Sequence, residues 1–227
     1  MSFGVSFKLN EKMFLKDPQD TDVGRRIIKN SIELIEELGF EGFTFRKLAQ
    51  RINTTEASVY RYFENKHILL IYLVSWYWEW VLYLIEIGIM NVSKPADRLR
   101  IAIDRIIDAS MENPAVDYVN EHLLHKIVIA EGSKAYHTKS VDAENKEGMF
   151  TSYKNLSHCL SKLISDVNPD FPYPISLASN LFEMANNQSF FAQHLPGLTD
   201  LKEKSKGNKD LKTLLEYFAF NLINCSK

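Results

Sequence analysis

Cysteine is nearly absent from this sequence: Cys159 and Cys225 stand far apart, with no C-x-x-C spacing. That argues against a disulfide scaffold or a zinc knuckle and fits a reducing compartment, so a cytoplasmic location is expected. Glycine is scarce too, nine residues in 227, and builds no phosphate-cradling loop. An excess of either charge is missing: 27 basic against 29 acidic residues leave a formal charge of −2. Any nucleic-acid surface must therefore be a local patch. No segment alternates like a strand for long, and there is no internal repeat or low-complexity tract. G-x-S-x-G, H-E-x-x-H, Walker and dinucleotide motifs are all lacking, so neither an enzymatic activity nor a cofactor is expected. At the N-terminus Lys8, Glu11, Lys12 and Lys16 interrupt the apolar residues, which leaves no signal-peptide core. Residues 1–22 read as a flexible arm.

What is there is helical periodicity. Ile28, Ile32 and Ile35 share one face of a first helix from Val23, which Gly39 ends. Thr44 caps a second, short helix with Phe45, Leu48, Ala49 and Ile52 at i, i+3, i+4, i+7. Asn53 tolerates the left-handed turn that follows. Thr55 caps a third helix, EASVYRYF, and Asn65 a long apolar one. Further helices are predicted from Pro95 to a break at Asn113–Pro114, then over 115–130, 149–167, 175–194 and 210–225, with residues 132–148 as an irregular connector. The fold class is all-α.

The fourth helix raises a question of its own. Ile68 to Met90 carries only Glu79 and Glu86 as charges and is long enough to span a bilayer. On a helix Ser75, Glu79 and Glu86 fall within about 40° of each other, and the rest of the surface is apolar. With the short polar-faced helices directly before it, such a segment belongs inside a protein, and no membrane partner is expected.

Two short helices and a tight turn make a helix-turn-helix, in which the first helix braces the second in a major groove. Small Ala49 lets them cross closely, and Val59 and Phe63 turn toward Leu48 and Ile52. The outward set is then Glu56, Ala57, Ser58, Tyr60, Arg61 and Tyr62, which a solvated face would explain equally well. Charge adds to the case: Arg46, Lys47, Arg51, Arg61 and Lys66 against Glu56 and Glu64 give +3 between Thr44 and His67. Helix starts at Thr44, Thr55 and Asn65 also offer N–H groups to phosphates.

The stretch GFEGFTFRKLAQRINTTEASVYRYFENKHILL resembles the DNA-binding domain of TetR-family transcriptional regulators, through Thr44, Ala49, Thr55, Tyr60, Tyr62, Phe63, Lys66 and Leu69 in order and spacing. The resemblance implies an N-terminal three-helix DNA-binding domain over residues 23–66. It also implies an all-helical ligand-binding and dimerisation domain over 67–227. By it Thr44, Thr55, Tyr60 and Lys66 contact phosphates, with Arg46 and Lys47 nearby, while Glu56, Ala57, Ser58 and Arg61 face base edges. Two positions depart from the pattern. Glu56 stands where a neutral or basic residue is usual, and either accepts from cytosine N4 or stays in solvent. Asn53 replaces a glycine and can adopt the same conformation.

The implied partners are a palindromic operator in double-stranded DNA, a second copy of the chain and a small apolar or amphipathic ligand. Tyr72, Trp76, Trp80 and Tyr83 on the apolar helix, with Tyr77 and Trp78, pack a core or line a pocket that His122, His125, Tyr136, Tyr153 and Phe182 face. Dimer faces are expected at Ala178, Leu181, Phe182 and Ala185 and at Leu211, Leu214, Leu215, Phe218 and Leu222, although burial within one subunit explains the same stripes. His122 and His125, with Glu121 and Glu131, have half the spacing of a metal site, and a structural role is preferred. The rival to a DNA-reading repressor is a helical ligand-sensing or protein-interaction module that no longer reads DNA.

Overall fold

The computed structural model describes residues 5–111, 116–202 and 209–224. Among these residues the regular structure is helical, with no strand. Thr21 opens α1 (Asp22–Gly42) by accepting the Gly24 N–H, and Ile27, Ile28, Ile32 and Ile35 line its buried face. Helical geometry breaks at Gly39, φ 68° and ψ 162°, a conformation that a Cβ opposes. The Thr44 and Thr55 hydroxyls cap α2 (Phe45–Arg51) and α3 (Glu56–Tyr60) by accepting the Lys47 and Ser58 N–H groups at 3.3 and 3.2 Å. Asn53 between them has φ 51°, the left-handed turn expected of it. In α4 (Lys66–Ile89) the Asn65 side chain accepts the Ile68 N–H at 2.9 Å. Every residue from Ile68 to Trp78 is buried. This helix is long and apolar enough to cross a membrane, and here most of its apolar surface is covered by protein.

The chain divides into two compact units, residues 1–79 with 110–153 and residues 80–109 with 154–227. In the first unit α6 (Glu121–Glu131) packs along α1, so residues 110–153 fold with the helix-turn-helix. Asn120 caps α6 at its start, five residues after the predicted Ala115. Ala115 itself, the break at Asn113–Pro114 and Cys225 lie outside the described residues. The connector predicted over 132–148 contains α7 (Val141–Lys146), whose Glu144 turns inward to lie 2.8 Å from His67 Nε2. Burial of one polar side chain breaks the apolar periodicity that a sequence search needs.

The N-terminal segment also departs from expectation. Residues 5–21, read as a flexible arm, lie folded on the first unit with Leu9, Met13 and Pro18 buried. Gly24 admits this path, since a Cβ there would stand 2.2 Å from the Pro18 carbonyl oxygen.

In the second unit α5 (Pro95–Asp108), α9 (Pro174–His194) and α10 (Lys209–Asn224) pack together. Lys212 meets Asp104 at 2.5 Å. The remaining helix, α8 (Thr151–Val167), buries Leu156, Leu160, Leu163 and Ile164. Six residues expected on a dimer face, Ala178, Leu181, Phe182, Ala185, Leu211 and Leu215, are instead buried in the chain's own interior. An amphipathic helix shows which residues are apolar, not which neighbour covers them. Leu214 is half-buried, while Phe218 (42% exposed) and Leu222 (49%) remain at the surface beside Tyr217.

Candidate nucleic-acid interface

The brace and the reading element form as their spacing implies: Leu48, Ala49, Ile52, Val59 and Phe63 are buried together where α2 crosses α3. Arg26 of α1 donates to the Ile52 carbonyl and holds the turn, a role the sequence does not announce because the two are 26 residues apart. Exposed around α3 are Thr55, Glu56, Ala57, Tyr60 and Arg61, with Ser58 half-buried. Tyr60 is 46% exposed, and its ring stands edge-on to Phe45 at 5.1 Å, which orients the hydroxyl outward from a fixed base. Thr44, Arg46 and Lys47 are exposed on α2.

Two expected contacts fail. Tyr62, placed in the outward set, is buried: α3 ends at Tyr60, so the turn after it carries Tyr62 inward, where its hydroxyl meets Thr21 Oγ1 at 2.8 Å. Lys66 directs its ammonium to the carbonyls of Phe40, Glu41 and Phe43 at 3.0, 3.4 and 3.5 Å, over the Phe40 ring. An ammonium has three donors and these carbonyls take all of them, so Lys66 braces the chain after the Gly39 break. Other cations of the +3 stretch are also engaged. Lys47 Nζ donates to the Gly42 carbonyl at 2.7 Å, and Arg51 pairs with Glu37 at 2.5 Å, which raises the Arg51 pKa. The side chains of Arg46, Glu56 and Arg61 make no hydrogen bond or ion pair among the described residues.

The segment after Gly39 is also held by α6. Glu131 accepts the Phe40 N–H at 3.0 Å, and Lys134 bridges Glu131 and Glu41 at 2.8 and 3.2 Å. Burial works to raise the Glu131 pKa, but the bonds from Lys134 and Phe40 more than offset it and hold the carboxyl below its usual range.

Of the nine residues expected around a ligand, six lie in the first unit and Trp80, Tyr83 and Phe182 in the second. Tyr136 and Tyr153 do meet, 6.3 Å apart, with Trp78 stacked on Tyr153 at 4.8 Å. The cavity beside them has about 10 Å³, room for one water. Tyr72 and Trp76 are buried beneath the N-terminal segment, in ring contact with Phe14 and Phe7. Trp80 donates to the Ala109 carbonyl at 3.3 Å and stacks on Tyr83, and Phe182 is core. His122 is exposed, 3.3 Å from the Ser110 carbonyl. His125 Nδ1 shares a 2.6 Å hydrogen bond with the Tyr77 hydroxyl, and burial, with His122 nearby, lowers its pKa to about 4. A larger cleft that the sequence did not signal, about 710 Å³, lies between α1 and the N-terminal segment, lined in part by Arg25, Arg26 and Lys29.

Residues 27–73 match the model of the bacterial regulatory proteins of the tetR family. Over 44 residues, 19% of this chain, the sequence is 39% identical to the tetracycline repressor protein class C of Escherichia coli, and the match spans 20% of that relative. The fold resembles AibR, solved with isovaleryl coenzyme A and operator DNA, at a TM-score of 0.55 and 14% identity over 88% of this chain and 96% of that one. It also resembles the fatty acid degradation regulator FadR from Bacillus halodurans, at 0.59 and 15% identity over 89% and 98%. Residues 27–73 are thus similar to the tetR family of bacterial regulatory proteins, within an all-helical fold that resembles solved regulators over most of the chain.

Proposed function

We propose that the chain is a cytoplasmic one-component transcriptional regulator, a repressor that binds a palindromic operator as a homodimer and is released by a small apolar or amphipathic ligand. The observation that carries this reading is α3. Its short helix is braced by α2 and Arg26, and it turns Glu56, Ala57, Tyr60 and Arg61 to solvent, the face a groove-reading element needs free. Thr44 and Thr55 open their helices beside it and offer N–H groups to phosphates. Glu56 favours the rival, a module that no longer reads DNA, because an exposed carboxylate at the start of α3 repels phosphate and selects cytosine at best.

Two copies are required to read two half-sites about 34 Å apart. Leu214, Tyr217, Phe218 and Leu222 on α10 offer an apolar surface for that pairing. The relatives solved with an acyl-coenzyme A, or named for fatty acid degradation, support an effector with an apolar tail. A ligand releases DNA only through its differential affinity for two conformations of the protein. Selection of bound duplexes from a random pool tests the reading: a palindrome, bound with an affinity that falls as salt rises, is the expected result. Absent or salt-independent binding to every selected duplex would establish the rival.

A further inference from the structure

We propose that residues 7–21 are a positioning strap, which fixes the exit of the recognition helix from behind and so sets duplex affinity without touching DNA. The inference rests on the reading above. On its buried side the strap presents Phe7, Leu9, Met13 and Phe14. Phe7 stands edge-on to Trp76 at 5.2 Å and Phe14 to Tyr72 at 6.2 Å, while Tyr72 also meets Phe63, three residues beyond α3, at 5.2 Å. The decisive contacts are at Tyr62. Leu15 N–H donates to its carbonyl at 2.8 Å, Thr21 Oγ1 meets its hydroxyl at 2.8 Å, and the Lys16 ammonium lies 5.6 Å from its ring centre. One residue just past a five-residue helix is thus held through backbone, hydroxyl and ring.

The strap is itself anchored at both ends. Gln19 exchanges two hydrogen bonds with the Phe7 backbone, at 3.1 and 2.8 Å, and accepts from the Tyr118 hydroxyl at 3.0 Å. Asn10 Nδ2 donates to the Glu147 carbonyl at 2.8 Å. A helix as short as α3 has little stability of its own, and tertiary contacts decide its angle. Here the strap supplies contacts that α1 and α2 do not.

Leu15 separates the strap's action from mere packing, because its side chain is 69% exposed while its N–H holds Tyr62. Leu15→Pro deletes that donor, and Phe14 before it is already extended at φ −154° and ψ 153°, as a residue preceding proline must be. Leu15→Ala keeps the donor. On the selected operator Leu15→Pro is expected to weaken binding about five- to tenfold, the worth of one hydrogen bond, with the salt slope unchanged. Leu15→Ala is expected to bind within about twofold of the parent, since it removes only an exposed side chain. Amide exchange over residues 55–65, measured without DNA, should quicken in Leu15→Pro and not in Leu15→Ala. Equal affinity and equal exchange in both variants would overturn the strap, as would a loss in Lys12→Ala or Lys16→Ala that flattens the slope, which marks direct phosphate contact. Should Leu15→Pro fail to fold, Phe7→Ala replaces it with the same two readouts. A parent chain that binds no duplex refutes the reading instead, and amide exchange still judges the strap.

Discussion

Acidification should destabilise the first unit through one imidazole. The Tyr77 hydroxyl and His125 Nδ1 lie 2.6 Å apart, a hydrogen bond between two neutral groups in a buried place where a charged imidazole is costly. Burial, aided by His122, lowers the His125 pKa from 6.5 to about 4. The unfolded chain therefore takes up the proton first, and stability falls as pH drops below 6.5 and levels off below about 4. A displacement of this size corresponds to about 3 kcal/mol in full, of which about 2 kcal/mol is lost between pH 7 and pH 5. Urea unfolding of the parent and of His125→Gln, at intervals from pH 7.5 to 4.5, isolates the term, because other titrations cancel in the difference. Glutamine keeps an acceptor for Tyr77 and does not titrate. The parent should lose about 2 kcal/mol more than the variant on going from pH 7 to pH 5. A gap that stays constant over this range, or that moves in the parent's favour on acidification, would refute a neutral buried imidazole.

Arg61→Ala should weaken operator binding by about 1–3 kcal/mol and relax preference at one base position, read by competition with single-base variants of the selected duplex. Lys66→Ala should leave the salt slope unchanged and lower unfolding free energy by about 1–2 kcal/mol, because its three carbonyl partners lie inside the protein; a slope reduced by about one would show that Lys66 reaches phosphate after all. At Asn53, with φ 51°, replacement by glycine should be neutral within a few tenths of a kcal/mol while Asn53→Ala costs about 1 kcal/mol, measured by denaturant midpoints. Phe218→Glu should shift sedimentation toward the monomer and weaken operator binding together; a variant that stays dimeric places the pairing surface elsewhere than α10.

The parts of the fold legible in the sequence are those set by nearest neighbours along the chain. Threonine caps three residues ahead of the N–H they accept, Asn53 in its turn, Gly39 at its break and the apolar periods of α1, α2, α4 and α5 all act within one or two helical turns. The parts that were not legible depend on distant partners. Arg26 finds Ile52, Glu144 finds His67, and Leu15 finds Tyr62, each across a span in which no periodicity links the two residues. The N-terminal segment looks like an arm because lysines interrupt its apolar residues, yet extended stretches broken by short 3-10 turns at Glu11–Met13 and Pro18–Asp20 bury Leu9 and Met13 and bring Phe7 and Phe14 to Trp76 and Tyr72. No helical or strand period describes such a path.

Charge follows the same division and changes what the reading element is able to do. Counting residues gives the helix-turn-helix five cations, but a side chain held by carbonyls or a carboxylate nearby must give up those bonds to contact phosphate directly. Lys66, Lys47 and Arg51 are spent in this way on the loop after Gly39, on Gly42 and on Glu37. What remains outward is Arg46 and Arg61, with Tyr60 and the starts of α2 and α3, against Glu56. Recognition by such a surface depends less on bulk attraction than on the exact angle at which Arg61 and Tyr60 are presented. On the proposed reading, the elements that hold that angle, Arg26 at the turn and the strap at Tyr62, set affinity together with the residues turned to the groove.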